Sequence, residues 1–94
     1  MRYKVLWSEL ATETYLSILE EVQLFSQRDA ELLEEKVTAF TGQLAKYKYL
    51  CPPAPNLPRY RKCVVSKYFS FVYESIENEV FITAFIDNRA DHLY

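Results

Sequence analysis

Polar and apolar residues alternate through RYKVLW at residues 2–7, a run rich in β-formers, and this spacing predicts a strand. After Trp7 the period changes. Ser8 is placed to cap a helix, with Glu9 in the first turn where the helix dipole favours a carboxylate. Ala11, Tyr15, Ile18, Val22 and Phe25 then recur at spacings of four and three, which predicts one apolar helix face over 8–25. Ser26 and Asp29 have the spacing of a capping box and open a second helix, with the stripe Ala30, Leu33, Val37, Phe40, Leu44 and Tyr47. Glu31, Glu34, Glu35 and Lys36 fall off that stripe and suit a solvated face. Gly42 also falls off it and costs the helix roughly 1 kcal/mol relative to Ala. So short a link between the helices predicts an antiparallel hairpin whose stripes face the core.

KYLCPPAPNLP at 48–58 ends the helical pattern, because four prolines cannot continue it and Pro52-Pro53 favours an extended connector. Three strands are expected beyond it, over 59–66, 68–74 and 79–87, with tight turns at SK and IENE. Alternation sets Phe69, Phe71 and Tyr73 against Tyr68, Ser70 and Val72 in the middle strand. In the last strand it sets Val80, Ile82, Ala84 and Ile86 against Phe81, Thr83 and Phe85. The order β-α-α-β-β-β describes an α+β fold, a helical hairpin on one face of a small, mainly antiparallel sheet. The other face has no helix to cover it, which makes it the expected partner surface.

Ninety-four residues allow a single domain, residues 1–94, and half of them are hydrophobic, too many for a disordered chain. The formal charge of −2 argues against a general nucleic-acid coat. Its distribution is uneven. Residues 1–45 hold four cations and eight acids, residues 46–73 six cations and no acid, and residues 74–94 one cation and five acids. The basic middle centres on RYRKCVVSKYFSFVYE at 59–74. Cys51 and Cys63 form no C-x-x-C and His92 is the only histidine, so no metal site is expected, and no cofactor is expected either. A disulfide stays open, but two reduced thiols are the simpler expectation, with Cys63 a small buried hydrophobe. The N-terminus lacks the apolar stretch of a signal peptide and no run could span a membrane, so the expected location is cytoplasmic.

These residues and their order resemble the RelE/ParE family of bacterial type II toxin–antitoxin systems over nearly the whole chain. YKVLWSELA resembles the family's first strand and the start of its first helix. RYRKCVVSKYFSFVYE resembles its signature hairpin, and FITAFIDNRADHLY its closing strand and tail. The resemblance implies the same β-α-α-β-β-β fold, a cytoplasmic toxin of the plasmid-stabilisation kind, and a cognate antitoxin as partner. It is compatible with a homodimer or a toxin–antitoxin heterotetramer. An acidic, flexible antitoxin would be steered by Arg59, Arg61, Lys62 and Lys67, with Ser70, Val72 and Arg89 completing the expected antitoxin- or target-binding set.

Within the family, RelE-type members cleave messenger RNA on the ribosome and ParE-type members inhibit DNA gyrase. Cleavage needs a proton acceptor, a proton donor and cations around the phosphorane. Carried over by position, Arg61 fills one strand cation site, Cys63 stands where a Lys is expected and Ser70 where an Arg is expected. Arg89 fits the C-terminal Arg, and Tyr94 or His92 the aromatic or imidazole role. Each also has a plainer reading: Arg61 and Lys62 as solvated strand charges, His92 as part of a mobile end, Arg89 as the partner of Asp87 or Asp91. Two expected cations are absent and the chain is acidic overall. The sequence therefore favours a ParE-like toxin acting on gyrase by binding. The alternatives are a ribosome-dependent endoribonuclease using Arg61, Arg89, Tyr94 and His92, and a degenerate, inactive member.

Overall fold

A computed structural model describes residues 2–90 and 93–94. The elements run β1 (Lys4–Trp7), α1 (Glu9–Phe25), α2 (Gln27–Leu44), β2 (Arg61–Val64), β3 (Phe69–Ile76) and β4 (Glu79–Asp87). Both predicted caps form. Ser8 Oγ accepts from the Ala11 N–H at 3.0 Å, and Ser26 Oγ accepts from the Asp29 N–H at 3.1 Å. Ser26 is extended, with φ −159° and ψ 111°, and its own N–H closes α1 on the Val22 carbonyl. One residue thus ends the first helix and caps the second, which makes the hairpin turn short.

The four strands are ordered β1-β4-β3-β2, with β1 parallel to β4 and the other two pairs antiparallel. The helices lie on the face that carries Phe71, Tyr73, Val80, Ile82 and Phe85, all nearly or fully buried together with Leu33, Val37 and Leu44. Burial of these side chains supplies the main favourable term of the fold. Trp7, Tyr15 and Phe85 form a ring chain through this layer, with centroids 5.3 and 4.9 Å apart.

Alternation in β4 breaks at a β-bulge. Tyr73 pairs with Ile82 but Val72 pairs with Ala84, so Thr83 is the extra residue. The side chains beyond it change faces, and Phe85, not Ala84 or Ile86, joins Val80 and Ile82 in the core. The bulge is held locally. Ser8 Oγ donates to the Thr83 carbonyl at 3.0 Å, the Ser8 N–H donates to the Ile82 carbonyl at 2.8 Å, and Thr83 Oγ1 donates to the Val72 carbonyl at 3.3 Å. The residue that caps α1 therefore also sets the β4 register.

Three further expectations change. Phe25 ends the α1 stripe but is 93% exposed, because the helix outruns the sheet at that end. Tyr47 follows the end of α2 and is exposed as well. The β2 strand covers only Arg61–Val64, because residues 65–68 form a turn wider than SK alone. In it the Val65 and Ser66 N–H groups both donate to the Phe69 carbonyl, and Ser66 Oγ accepts from the Tyr68 and Phe69 N–H groups.

Candidate functional site

The register of β2 and β3 decides which hairpin residues can act together. Arg61 pairs with Tyr73 and Cys63 with Phe71, so both stand on the helix-covered face. Ser70 pairs with Val64 and lies on the opposite face with Val72 and Lys62. Arg61 and Ser70, which stand at two strand positions where the resemblance expects cations, lie on opposite faces of the sheet. Ser70 is also fully buried, and its hydroxyl donates to Asn88 Oδ1 at 2.6 Å. Val72 is fully buried too, and Phe81, Ala84 and Ile86 are half-buried. The face without helices is thus not the bare slab that the sequence suggests, and neither Ser70 nor Val72 is exposed to meet a partner.

Of the cations concentrated at 46–73, Lys48 and Arg61 share the Tyr49 ring, whereas Lys67 stands on the β2–β3 turn. Arg61 is half-buried, donates from Nη1 to the Cys51 carbonyl at 2.7 Å and stacks on the Tyr49 ring at 4.8 Å. Arg59 pairs loosely with Glu74 at 3.5 Å and donates to the Tyr60 hydroxyl at 2.7 Å. Lys48 sits over both Tyr3 and Tyr49. Lys62 holds the edge of β2 through its N–H, which donates to the Pro52 carbonyl at 3.0 Å. The chain's second end returns here as well, with the Tyr94 ring edge-on to Tyr60 at 5.6 Å. His92 lies outside the described residues.

Cys51 and Cys63 are joined in a disulfide, not left as two thiols. Cys63 is buried as expected, and Cys51 is drawn in beside it from the Pro-rich segment. Twelve-residue spacing gives no hint of this. The pairing follows from the loop turning back along β2, where Pro53 bridges to Arg61. Tyr73 ties the same point down: its buried hydroxyl donates to the Lys48 carbonyl at 2.8 Å and accepts from the Cys51 N–H at 3.3 Å. Burial raises the Tyr73 pKa, opposed by the Cys51 hydrogen bond and the nearby Arg61 charge.

At the opposite end of the fold a cleft of about 400 Å³ opens between the helical hairpin and the β2–β3 turn. Val22, Phe25 and Leu32 line the helical side, and Tyr68 and Phe69 line the sheet side. Lys36, Lys67 and Arg89 give it a cationic rim, interrupted by Asp29. Tyr68 is 43% exposed and carries Arg89 at 4.6 Å and Lys67 at 5.5 Å from its ring centre. Arg89 is gripped by Asp87 through Nε at 3.0 Å and Nη2 at 2.8 Å. These hydrogen bonds hold the Asp87 carboxyl at about 2, well below its ordinary value. The sequence reading missed this cleft, because Phe25 has the spacing of a core residue. A helix stripe longer than the strands beneath it was the available signal.

No protein-family model matches the sequence, and no curated protein resembles it significantly. Solved structures do match its fold. The chain is similar to the chromosomal ParDE toxin–antitoxin system from P. aeruginosa, at 16% identity and TM-score 0.72, over 92% of this chain and 96% of that one. It is also similar to a YoeB/ParE toxin from Agrobacterium tumefaciens, at 15% identity and TM-score 0.65, over 90% and 98% of the two chains. A YoeB–YefM complex from Staphylococcus aureus matches at 16% identity and TM-score 0.62, over 92% and 97%. At these identities the likeness is one of fold, and the chain has the RelE/ParE-like toxin fold.

Proposed function

Taking the RelE/ParE-like fold as the premise, we propose that this chain is the toxin of a type II toxin–antitoxin pair and that it acts by binding its target. The separation of Arg61 and Ser70 onto opposite faces of the sheet carries this choice over cleavage. Transfer of a phosphoryl group needs cations and proton carriers around one atom. Here Arg61 is engaged with Cys51, Ser70 is buried on Asn88, and Arg89 is held by Asp87 at the far cleft. The ParE-type target that fits a binding mode is DNA gyrase.

The antitoxin contact falls at the cleft. A segment with apolar side chains could cover Phe25 and Leu32, while its carboxylates meet Lys36, Lys67 and Arg89. Burial of Phe25 alone, from 93% exposure, contributes on the order of 2 kcal/mol.

Induction of the chain alone, followed by assays of plasmid supercoiling and transcript integrity, tests this reading. Growth arrest with loss of supercoiling and intact transcripts is expected, with rescue by a co-expressed small acidic protein from the adjacent reading frame. Cut transcripts with normal supercoiling would restore the nuclease alternative. No arrest would indicate an inactive member. In the complex, Phe25→Asp and Lys67→Glu should each weaken antitoxin binding by at least tenfold without lowering the melting temperature, since both side chains are exposed.

A further inference from the structure

The Pro-rich segment 51–60 is an unusual edge for a sheet. β2 is the outermost strand, and the segment runs back along it through the Pro53–Arg61 bridge and the bond from the Lys62 N–H to the Pro52 carbonyl. The Ala54 N–H, which donates to the Tyr60 carbonyl at 2.8 Å, closes the segment on itself. Ala54 is only 1% exposed. Pro52, Pro53, Pro55 and Pro58 have no N–H to donate, so the segment has few backbone bonds with which to hold its place. Its firmest tie is covalent.

That tie joins the two cysteines of the chain, and their thiols are the ordinary state in a glutathione-buffered compartment. Cys51 is also the point where the Tyr73 hydroxyl and the Arg61 guanidinium attach. Both cysteines are almost completely buried, at 4% and 1% exposure. A reductant therefore reaches the sulfurs only after the segment lifts locally.

We propose that the Cys51–Cys63 disulfide is a redox latch that decides whether segment 51–60 stays docked on the edge of β2. A dithiol reductant opens it by exchange. One thiolate attacks a protein sulfur and forms a mixed disulfide, the second thiol displaces the remaining cysteine, and the reductant leaves as its own disulfide. Two electrons and two protons pass to the protein, leaving Cys51 and Cys63 as thiols. A small disulfide oxidant reverses the reaction and takes the same two electrons. In the open form Cys51 keeps the hydrogen bonds its N–H donates to the Tyr73 hydroxyl and its carbonyl accepts from Arg61, but the edge of β2 loses its covalent clamp. The proposal concerns the fold itself and does not depend on the toxin reading.

Limited trypsin digestion tests the latch, because Arg59 lies in the segment and Arg61 and Lys62 on the strand edge it covers. The full-length protein is compared before and after dithiothreitol, with far-UV circular dichroism as control and reductant-free alkylation in denaturant to count thiols. The oxidised protein should show no free thiol. After reduction, cleavage at those three positions should rise at least tenfold while the dichroism spectrum is unchanged. Equal cleavage rates would overturn the proposal, as would two free thiols in the untreated protein or loss of all secondary structure on reduction. A Cys51→Ala, Cys63→Ala double variant should be cleaved at the fast rate with or without dithiothreitol. A reductant response in that variant would also overturn the proposal.

Discussion

Tyr73→Phe separates hydrogen bonding from packing at the centre of this fold. The ring is fully buried against Phe71, and Phe fills the same space, so no cavity forms. Only the hydroxyl is lost. It donates to the Lys48 carbonyl at 2.8 Å and accepts from the Cys51 N–H at 3.3 Å, so its removal leaves two main-chain groups without this partner. A buried group left unsatisfied costs about 1–3 kcal/mol. The Cys51 contact is long and Lys48 is only half-buried, which sets the expected loss at about 2 kcal/mol in total. For a domain of this length that corresponds to a fall in melting temperature of roughly 8–16 °C. Urea unfolding of oxidised wild type and variant should give parallel slopes and a lower midpoint. A loss under about 0.5 kcal/mol would refute the reasoning, since it would mean that water or a relaxed loop satisfies both groups equally well.

Ser8→Ala should destabilise by about 1–2 kcal/mol, more than an ordinary cap, because the hydroxyl serves both Ala11 and the bulged Thr83; equilibrium unfolding measures it. Gly42→Ala should stabilise by about 0.5–1 kcal/mol in the same assay, since a methyl group there meets no atom within 4 Å and the backbone is already helical. Burial, reinforced by Glu34, pushes the Tyr15 phenol up to about 12. Its folded-state value lies above the ordinary value of 10.0, so its contribution is complete below pH 10 and is lost as pH rises toward about 12. Tyr15→Phe should flatten the alkaline limb of a stability-against-pH curve over that window.

Local physics made much of this molecule legible without coordinates. Ser8 and Ser26 could be read as caps because capping depends on residues three positions apart, and the two helix stripes follow from a period the chain carries by itself. The order of elements, and with it the α+β hairpin-on-sheet layout, came from the same local signals. Pairing across the sheet decided the rest. Thr83 forms a bulge that Ser8 and Val72 hold from neighbouring elements, and that one extra residue turns Phe85 inward. The β2–β3 register put Arg61 and Ser70 on opposite faces of the sheet and three register positions apart, although they are close in sequence. Cys51 meets Cys63 because the proline segment folds back on an edge strand, and Phe25 stands exposed because α1 is longer than the sheet beneath it. Each of these depends on distances between residues far apart in the chain, which a pattern of neighbours does not encode. A cation run at 46–73 was therefore visible from the start, but tertiary structure alone brought Lys48 and Arg61 to the one Tyr49 ring and left Lys67 on the β2–β3 turn.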